Sequence, residues 1–151
     1  MLFRSVVGVC FGHQIVGRAL GSPVGRSPAG GWELAVVDMA LTDAGRRLFP
    51  GLGGSLRIHQ MHRDEVHEYP PGAVSLAHTP ACATQAMYIP RRMIAVQGHP
   101  EFTESMVREI LQLRHDGGII ADGVFEDAMS RVADKHDGVA IAQAFLRFLR
   151  D

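Results

Sequence analysis

Short apolar runs, each closed by glycine, proline or a polar cluster, fill the first two thirds of the chain, and helical spacing of apolar residues takes over in the last third. Phe3, Val6, Val7 and Val9 predict a buried strand over 3–9. Ile15, Val16, Ala19 and Leu20 give one apolar face to a helix over 13–20, which Gly21 closes. A loop rich in Gly, Ser and Pro follows to Gly31, close to where a site would form. Trp32 to Leu41 reads as a strand, Thr42 as the cap of a short helical turn, and Leu56-Arg57-Ile58-His59 as another strand. Ala73 to His78, Gln85 to Ile89 and Met93 to Val96 are three more short strands between proline or polar turns. Thr103 then caps a helix bearing Met106, Val107, Ile110 and Leu111. Val124, Phe125, Ala128, Met129 and Val132 mark a second helix, and Ile141, Phe145, Leu146 and Leu149 a third. With no internal repeat, low-complexity tract or linker, residues 1–151 read as one domain.

At 151 residues and 46% hydrophobic, the chain can bury a sizeable core. Its 15 basic and 16 acidic side chains leave a formal net charge of −1, so no electrostatic footprint for nucleic acid is visible and a small neutral substrate fits better. The apolar runs fall far short of the roughly 20 residues of a membrane helix. Met1-Leu2-Phe3-Arg4 lacks a signal-peptide layout, and a soluble cytoplasmic protein is expected. Two cysteines make no disulfide scaffold, and Cys82, between Ala81 and Ala83, reads as a small packing residue.

Cys10 carries the candidate chemistry. It stands where an apolar strand meets a helix, with Gly8 and Gly12 leaving room for a sharp corner. There a thiol would meet the positive end of a helix and free backbone N–H groups, which favour a thiolate and can stabilise an oxyanion. A small buried apolar cysteine beside strand-ending glycines is the bland alternative. A thiol nucleophile needs a base, and Gln97-Gly98-His99-Pro100-Glu101-Phe102 follows the apolar run Met93 to Val96. In extended chain His99 and Glu101 share a side, so the carboxylate can orient the imidazole. A lone His-Pro-Glu is an ordinary turn; with the cysteine corner, at the ends of two separate strands, it predicts a triad of Cys10, His99 and Glu101.

The histidines offer a rival reading, since His59, His62 and His67 fall near Asp64 and Glu65. The His-Glu-x-x-His layout is missing and no helix gathers the ligands, so a polar loop beside the site is expected, with no metal and no cofactor. His13 is expected to help order the corner through a hydrogen bond rather than to transfer protons. The apolar face from Ile141 to Leu149 is expected to pack on the chain's own sheet rather than on a partner.

Gly8-Val9-Cys10-Phe11-Gly12-His13-Gln14 together with Gln97-Gly98-His99-Pro100-Glu101-Phe102 resembles the two signatures of class I glutamine amidotransferase domains. Met61-His62-Arg63-Asp64-Glu65-Val66, Pro70-Pro71-Gly72 and Gln85-Ala86-Met87 resemble the branch that includes the glutaminase part of GMP synthetase. The resemblance implies an α/β fold of flavodoxin-like, doubly wound type with a mostly parallel sheet. It implies hydrolysis of a glutamine γ-carboxamide through a cysteine thioester, releasing ammonia and then glutamate. Cys10, His99 and Glu101 would be the triad, the N–H of Phe11 an oxyanion donor, and Gln14 a substrate contact. The segment from Met61 to Asp64 would help hold the amino-acid end of the substrate. No Gly-rich ATP loop is encoded, so a synthetase subunit is the partner expected to use the ammonia. A γ-glutamyl peptidase using the same triad is an alternative, and a non-catalytic binding remnant is another.

One departure from the family stands at the beginning. Met1 precedes the Cys10 strand by only a few residues, whereas the family places strand and helix units, and a loop giving a second oxyanion N–H, before it. The expectation is a domain partial at its amino end, with an exposed hydrophobic edge and weak or no glutaminase activity. Losing one oxyanion donor costs about 100- to 1,000-fold in rate.

Overall fold

The computed structural model describes residues 5–150, so the first part of the strand expected over 3–9 lies outside the described residues. The elements are β1 (Val6–Val9), α1 (Phe11–Ala19), β2 (Val24–Arg26), β3 (Glu33–Leu41), α2 (Asp43–Leu48), β4 (Ser55–His62), β5 (Asp64–Val66), β6 (Val74–His78), β7 (Ala86–Ile89), β8 (Met93–Val96), α3 (Glu104–Asp116), α4 (Asp122–Arg131) and α5 (Gly138–Arg150). Among the described residues, six strands form one sheet in the order β1-β8-β7-β6-β3-β4, and β2 pairs with β5 in a separate ribbon.

The α/β class agrees with the expectation, but the strand directions within it differ. Among the described residues only β1 and β8 pair in parallel; β8 with β7, β7 with β6, β6 with β3 and β3 with β4 are antiparallel. Connection length explains this. A parallel pair needs a crossover of about a dozen residues or more, which the turn of Pro90, Arg91 and Arg92 between β7 and β8 cannot supply. β1 and β8 are separated by most of the domain, and their parallel register aligns Val9 with Val96.

β8 is buried on both faces. Ile94 and Val96 belong to a core with Met39, Ile58 and Leu76, which Ile141 and Phe148 of α5 cover, whereas Met93 and Ala95 pack with Met87 and Val16 of α1. A further cluster joins Leu34 of β3 and Met61 of β4 to Val107 and Leu111 of α3 and Ala128 of α4. Thr42 and Thr103 cap α2 and α3 as expected, accepting from the N–H groups of Gly45 at 3.1 Å and Met106 at 3.4 Å. On α5 the buried stripe is Ile141, Ala144 and Phe148, whereas Leu146 and Leu149 face outward, so only part of the expected face packs on the sheet.

β1 stands at one end of the strand order, next to an apolar groove of about 280 Å³ lined by Val6, Ile15, Val16, Leu20 and Met93. Val6, Ile15 and Leu20 are exposed there. The loop expected up to Gly31 contains β2, whose Val24 pairs with Val66. That pairing anchors the loop beside α1.

Candidate active site

Cys10 occupies the corner between β1 and α1 with φ 49° and ψ −103°, a conformation L-residues rarely adopt. Two backbone hydrogen bonds hold it: its N–H donates to Val96 O at 2.9 Å, and its carbonyl accepts from the N–H of Gln14 at 3.1 Å. Gly8 makes the corner possible, because a Cβ there would lie 3.1 Å from the Gly12 carbonyl and from Ala95 Cβ. The two glycines thus have different parts: a side chain at Gly8 would press on its neighbours, whereas Gly12 supplies the backbone that approaches it.

Cys10 is a free, half-buried cysteine. Burial pushes its thiol pKa up; the N–H of Phe11 and the side-chain amide of Gln97 act the other way, as does Arg114, while Glu101 adds to the rise. The net direction is therefore opposite to what the helix terminus alone suggested, because desolvation outweighs the backbone donor.

The parallel register brings the residues after β8 beside Cys10. Gln97 Nε2 lies 3.6 Å from Cys10 Sγ, and His99 follows two residues later. His99 Nδ1 is 2.8 Å from Glu101 Oε1, so Nδ1–H donates to the carboxylate and Nε2 is left to accept a proton. Two further contacts fix the imidazole. Its ring stacks on Phe102 with centroids 3.9 Å apart and planes 4° from parallel, and its backbone N–H donates to His59 O at 2.8 Å. The side chain of His99 is 15% exposed and that of Glu101 is 52% exposed, so the pair sits at the mouth of the site.

Gln14, one turn beyond Cys10, donates from Nε2 to Asp64 O at 2.8 Å and to Gln97 Oε1 at 3.2 Å. Its side chain lines an open cleft of about 170 Å³ with Phe11, Arg18, Val24 and Asp64, and Phe11 is 70% exposed there. Met61 lies elsewhere. Its side chain is buried against Leu34 and α3, so the 61–64 segment presents backbone, not the Met61 thioether, to the cleft side. Arg26 pairs with Asp64 at 2.9 Å on the surface beside this segment.

His59, His62 and His67 are dispersed. His59 is fully buried with no hydrogen-bond partner on either ring nitrogen, and its ring lies 4.8 Å from that of His136. His62 Nε2 lies 2.9 Å from Glu33 Oε2, and His67 Nε2 donates to Arg26 O at 3.0 Å. The expected polar loop at 59–62 is instead the end of β4, stabilised by a buried network. Glu33 accepts there from Thr79 at 2.8 Å and Gln85 at 2.6 Å. Burial alone would raise the Glu33 pKa, but His62 and these donors outweigh it and hold the carboxyl below its ordinary value. Among the described residues, no group of three or more His, Cys, Asp or Glu side chains could hold a metal ion. His13 is fully buried and donates from Nε2 to Thr84 O at 3.0 Å, tying α1 to the strand region behind the corner.

A cysteine-bearing strand-to-helix corner thus lies beside a parallel strand that leads into a carboxylate-paired histidine, on an α/β fold. Residues 3–114 match the family described as glutamine amidotransferase class-I, and the chain belongs to that family. It is 33% identical over 144 residues to a glutamine amidotransferase-like protein of Schizosaccharomyces pombe, covering 95% of this chain and 57% of that protein. It is 32% identical to gamma-glutamyl peptidase 3 of Arabidopsis thaliana, over 72% of this chain and 45% of that one. It is 36% identical to a glutamine-hydrolyzing GMP synthase subunit of Thermococcus kodakarensis, over 64% of this chain and 50% of that one. Among solved structures, a glutamine amidotransferase from Methylobacillus flagellatus superposes with a TM-score of 0.77 at 25% identity, covering 97% of this chain and 64% of that one. The chain spans about half the length of the curated relatives it matches.

Proposed function

We propose that the chain carries, as one domain, a cysteine-dependent site that hydrolyses the γ-amide of glutamine. Cys10 Sγ attacks the carboxamide carbon after giving its proton to His99 Nε2, with Glu101 holding the imidazole in that tautomer. The N–H of Phe11 stabilises the oxyanion. His99 returns the proton to the leaving nitrogen and ammonia departs from a γ-glutamyl thioester. Water, deprotonated by His99, then attacks the thioester carbonyl, and glutamate leaves as the thiol re-forms. Gln14, through its free Oε1, and the backbone of the 61–64 segment hold the amino-acid end of the substrate. Ammonia passes to a synthetase subunit, in a cytoplasm that keeps Cys10 reduced.

The observation that carries this reading is the 2.8 Å His99–Glu101 pair on the strand end that adjoins Cys10. Release of ammonia and glutamate from glutamine, lost in Cys10→Ala, is the expected result; glutamine hydrolysis that survives Cys10→Ala would overturn it. A second reading has a specific observation behind it. The chain is 32% identical over 113 residues to gamma-glutamyl peptidase 3 of Arabidopsis thaliana, and the same thioester forms from a γ-glutamyl peptide with an amino acid as the leaving group instead of ammonia. Faster Cys10-dependent cleavage of γ-glutamyl dipeptides than of glutamine would favour it.

A further inference from the structure

Gln97 is wholly buried, yet every polar atom of its side chain is engaged at the site. Its Oε1 accepts from Gln14 Nε2 at 3.2 Å, and its Nε2 lies 3.6 Å from Cys10 Sγ, an ordinary separation for N–H donation to the larger sulfur atom. The direction of this relay is fixed from outside. Gln14 Nε2 also donates to the Asp64 carbonyl at 2.8 Å, an acceptor that cannot become a donor, so Gln14 must turn its N–H groups toward Gln97. Turning the Gln97 amide over would set two N–H groups against each other and point a carbonyl oxygen at the sulfur. The Gln97 backbone is held as well, since its N–H donates to Gln85 O at 2.8 Å.

We propose that Gln97 is a further catalytic residue, which holds the Cys10 thiolate through its side-chain N–H, and that Gln14 is the positioning residue that aims it. The assignment rests on Cys10 being the nucleophile. It meets a need specific to this corner: the sulfur is partly desolvated, and the donors facing it are the Phe11 N–H and Gln97. An N–H that favours the anion offsets part of that cost and leaves the thiolate in place for attack. The charged groups bearing on the sulfur are Glu101, which opposes ionisation, and Arg114 of α3, which favours it. His99 lies beyond Gly98 on the same strand end, and His13 lies within α1.

The test is the pH profile of Cys10 alkylation by iodoacetamide, followed by mass spectrometry of the intact chain. It needs no turnover, and Cys82 does not interfere, because burial pushes its thiol up to about 12. Gln97→Leu is expected to move the Cys10 midpoint up by about one pH unit, and Gln97→Glu, which keeps the shape but puts a carboxylate at the sulfur, further up. Gln14→Met should shift it in the same direction by less, and should add nothing in the Gln97→Leu background. A packing defect would not produce that pattern. Coincident profiles for the native chain and both Gln97 variants, or a Gln14→Met shift undiminished in Gln97→Leu, would overturn the assignment. If γ-amide hydrolysis is lost in Cys10→Ala while the profiles coincide, only the role of Gln97 fails; if hydrolysis survives Cys10→Ala, the hydrolase site itself is misassigned.

Discussion

The N–H of Cys10 donates to the carbonyl of Val96 at 2.9 Å, so the residue at the corner of one strand is fixed to the last residue of the strand that leads to His99. One backbone bond thereby sets the spacing between the thiol and the imidazole loop. The opposite side of that loop is fixed too, by the His99 N–H donating to His59 of β4. The main chain thus fixes the Cys10 corner and the His99 turn to neighbouring strands, and the side chains add orientation: Glu101 and Phe102 for the ring, Gln97 for the sulfur.

The backbone of Cys10 carries strain that a variant can release. Its positive φ costs a side-chain-bearing residue about 1–3 kcal/mol, and glycine escapes most of that. Cys10→Ala and Cys10→Gly should both lose γ-amide hydrolysis, yet Cys10→Gly should be the more stable of the two by about 1 kcal/mol in urea unfolding. Equal stabilities, or a less stable glycine variant, would mean that the corner relaxes in solution.

Much of the geometry of this candidate site was legible in the sequence, for a physical reason: its residues stand at strand ends, and a strand end is marked by an apolar run giving way to glycine or proline. Val6 to Val9 before Cys10 and Met93 to Val96 before His99 both carry that mark. Strand direction was not legible, since β8 is apolar on both faces whichever way its neighbours run. The short strands β2 and β5 were hidden because Val24-Gly25-Arg26 and Asp64-Glu65-Val66 owe their extended form to each other. Residues 60–62 of β4 read as polar loop because Gln60 and His62 are buried with partners, Gln85 and Glu33, that lie far away in sequence. Gln97 was visible only as part of a motif; its contact with the sulfur requires the register of β1 against β8.

Glu101 should show two effects of opposite sign. Glu101→Gln removes the charge that orients His99, and because the carboxylate is 52% exposed, water can replace part of its role. The loss in kcat should be about 10- to 100-fold, below the roughly 10,000-fold seen when a buried triad acid is neutralised. The same change removes a charge that opposes ionisation of Cys10, so the alkylation midpoint of Cys10 should fall while turnover falls with it. A midpoint that stays or rises would place Glu101 too far from the sulfur to act on it.

Gly138, at the start of α5, is distant in sequence from the site yet packed against it. A Cβ there would collide with the Pro100 carbonyl and come within 2.9 Å of the His136 ring. Gly138→Ala must therefore displace the His99-Pro100-Glu101 turn or the end of the helix, at a cost of about 1–3 kcal/mol in stability. Displacing a catalytic imidazole by about 1 Å can cost about 100-fold. A loss of turnover exceeding the loss of folded protein is expected; full activity with unchanged stability would show that the contact yields freely.

Acid should weaken the fold before the ordinary carboxylate range is reached. Burial pushes the His13 pKa down to about 4 despite its bond to Thr84, and pushes that of His59 to about 4 as well, with His136 adding to the shift. In the unfolded chain these imidazoles take up protons near 6.5. As pH falls from about 6.5 toward 4 the unfolded state therefore binds protons that the native state refuses, and stability drops; below 4 the difference levels off. His13 alone contributes up to about 3 kcal/mol of this loss, and His59 acts in the same direction. Urea midpoints measured between pH 7 and 4 should fall accordingly, and His13→Gln should flatten the profile. A flat native profile would mean that His13 gains a proton within the folded protein, with a partner for Nδ1 that accepts it.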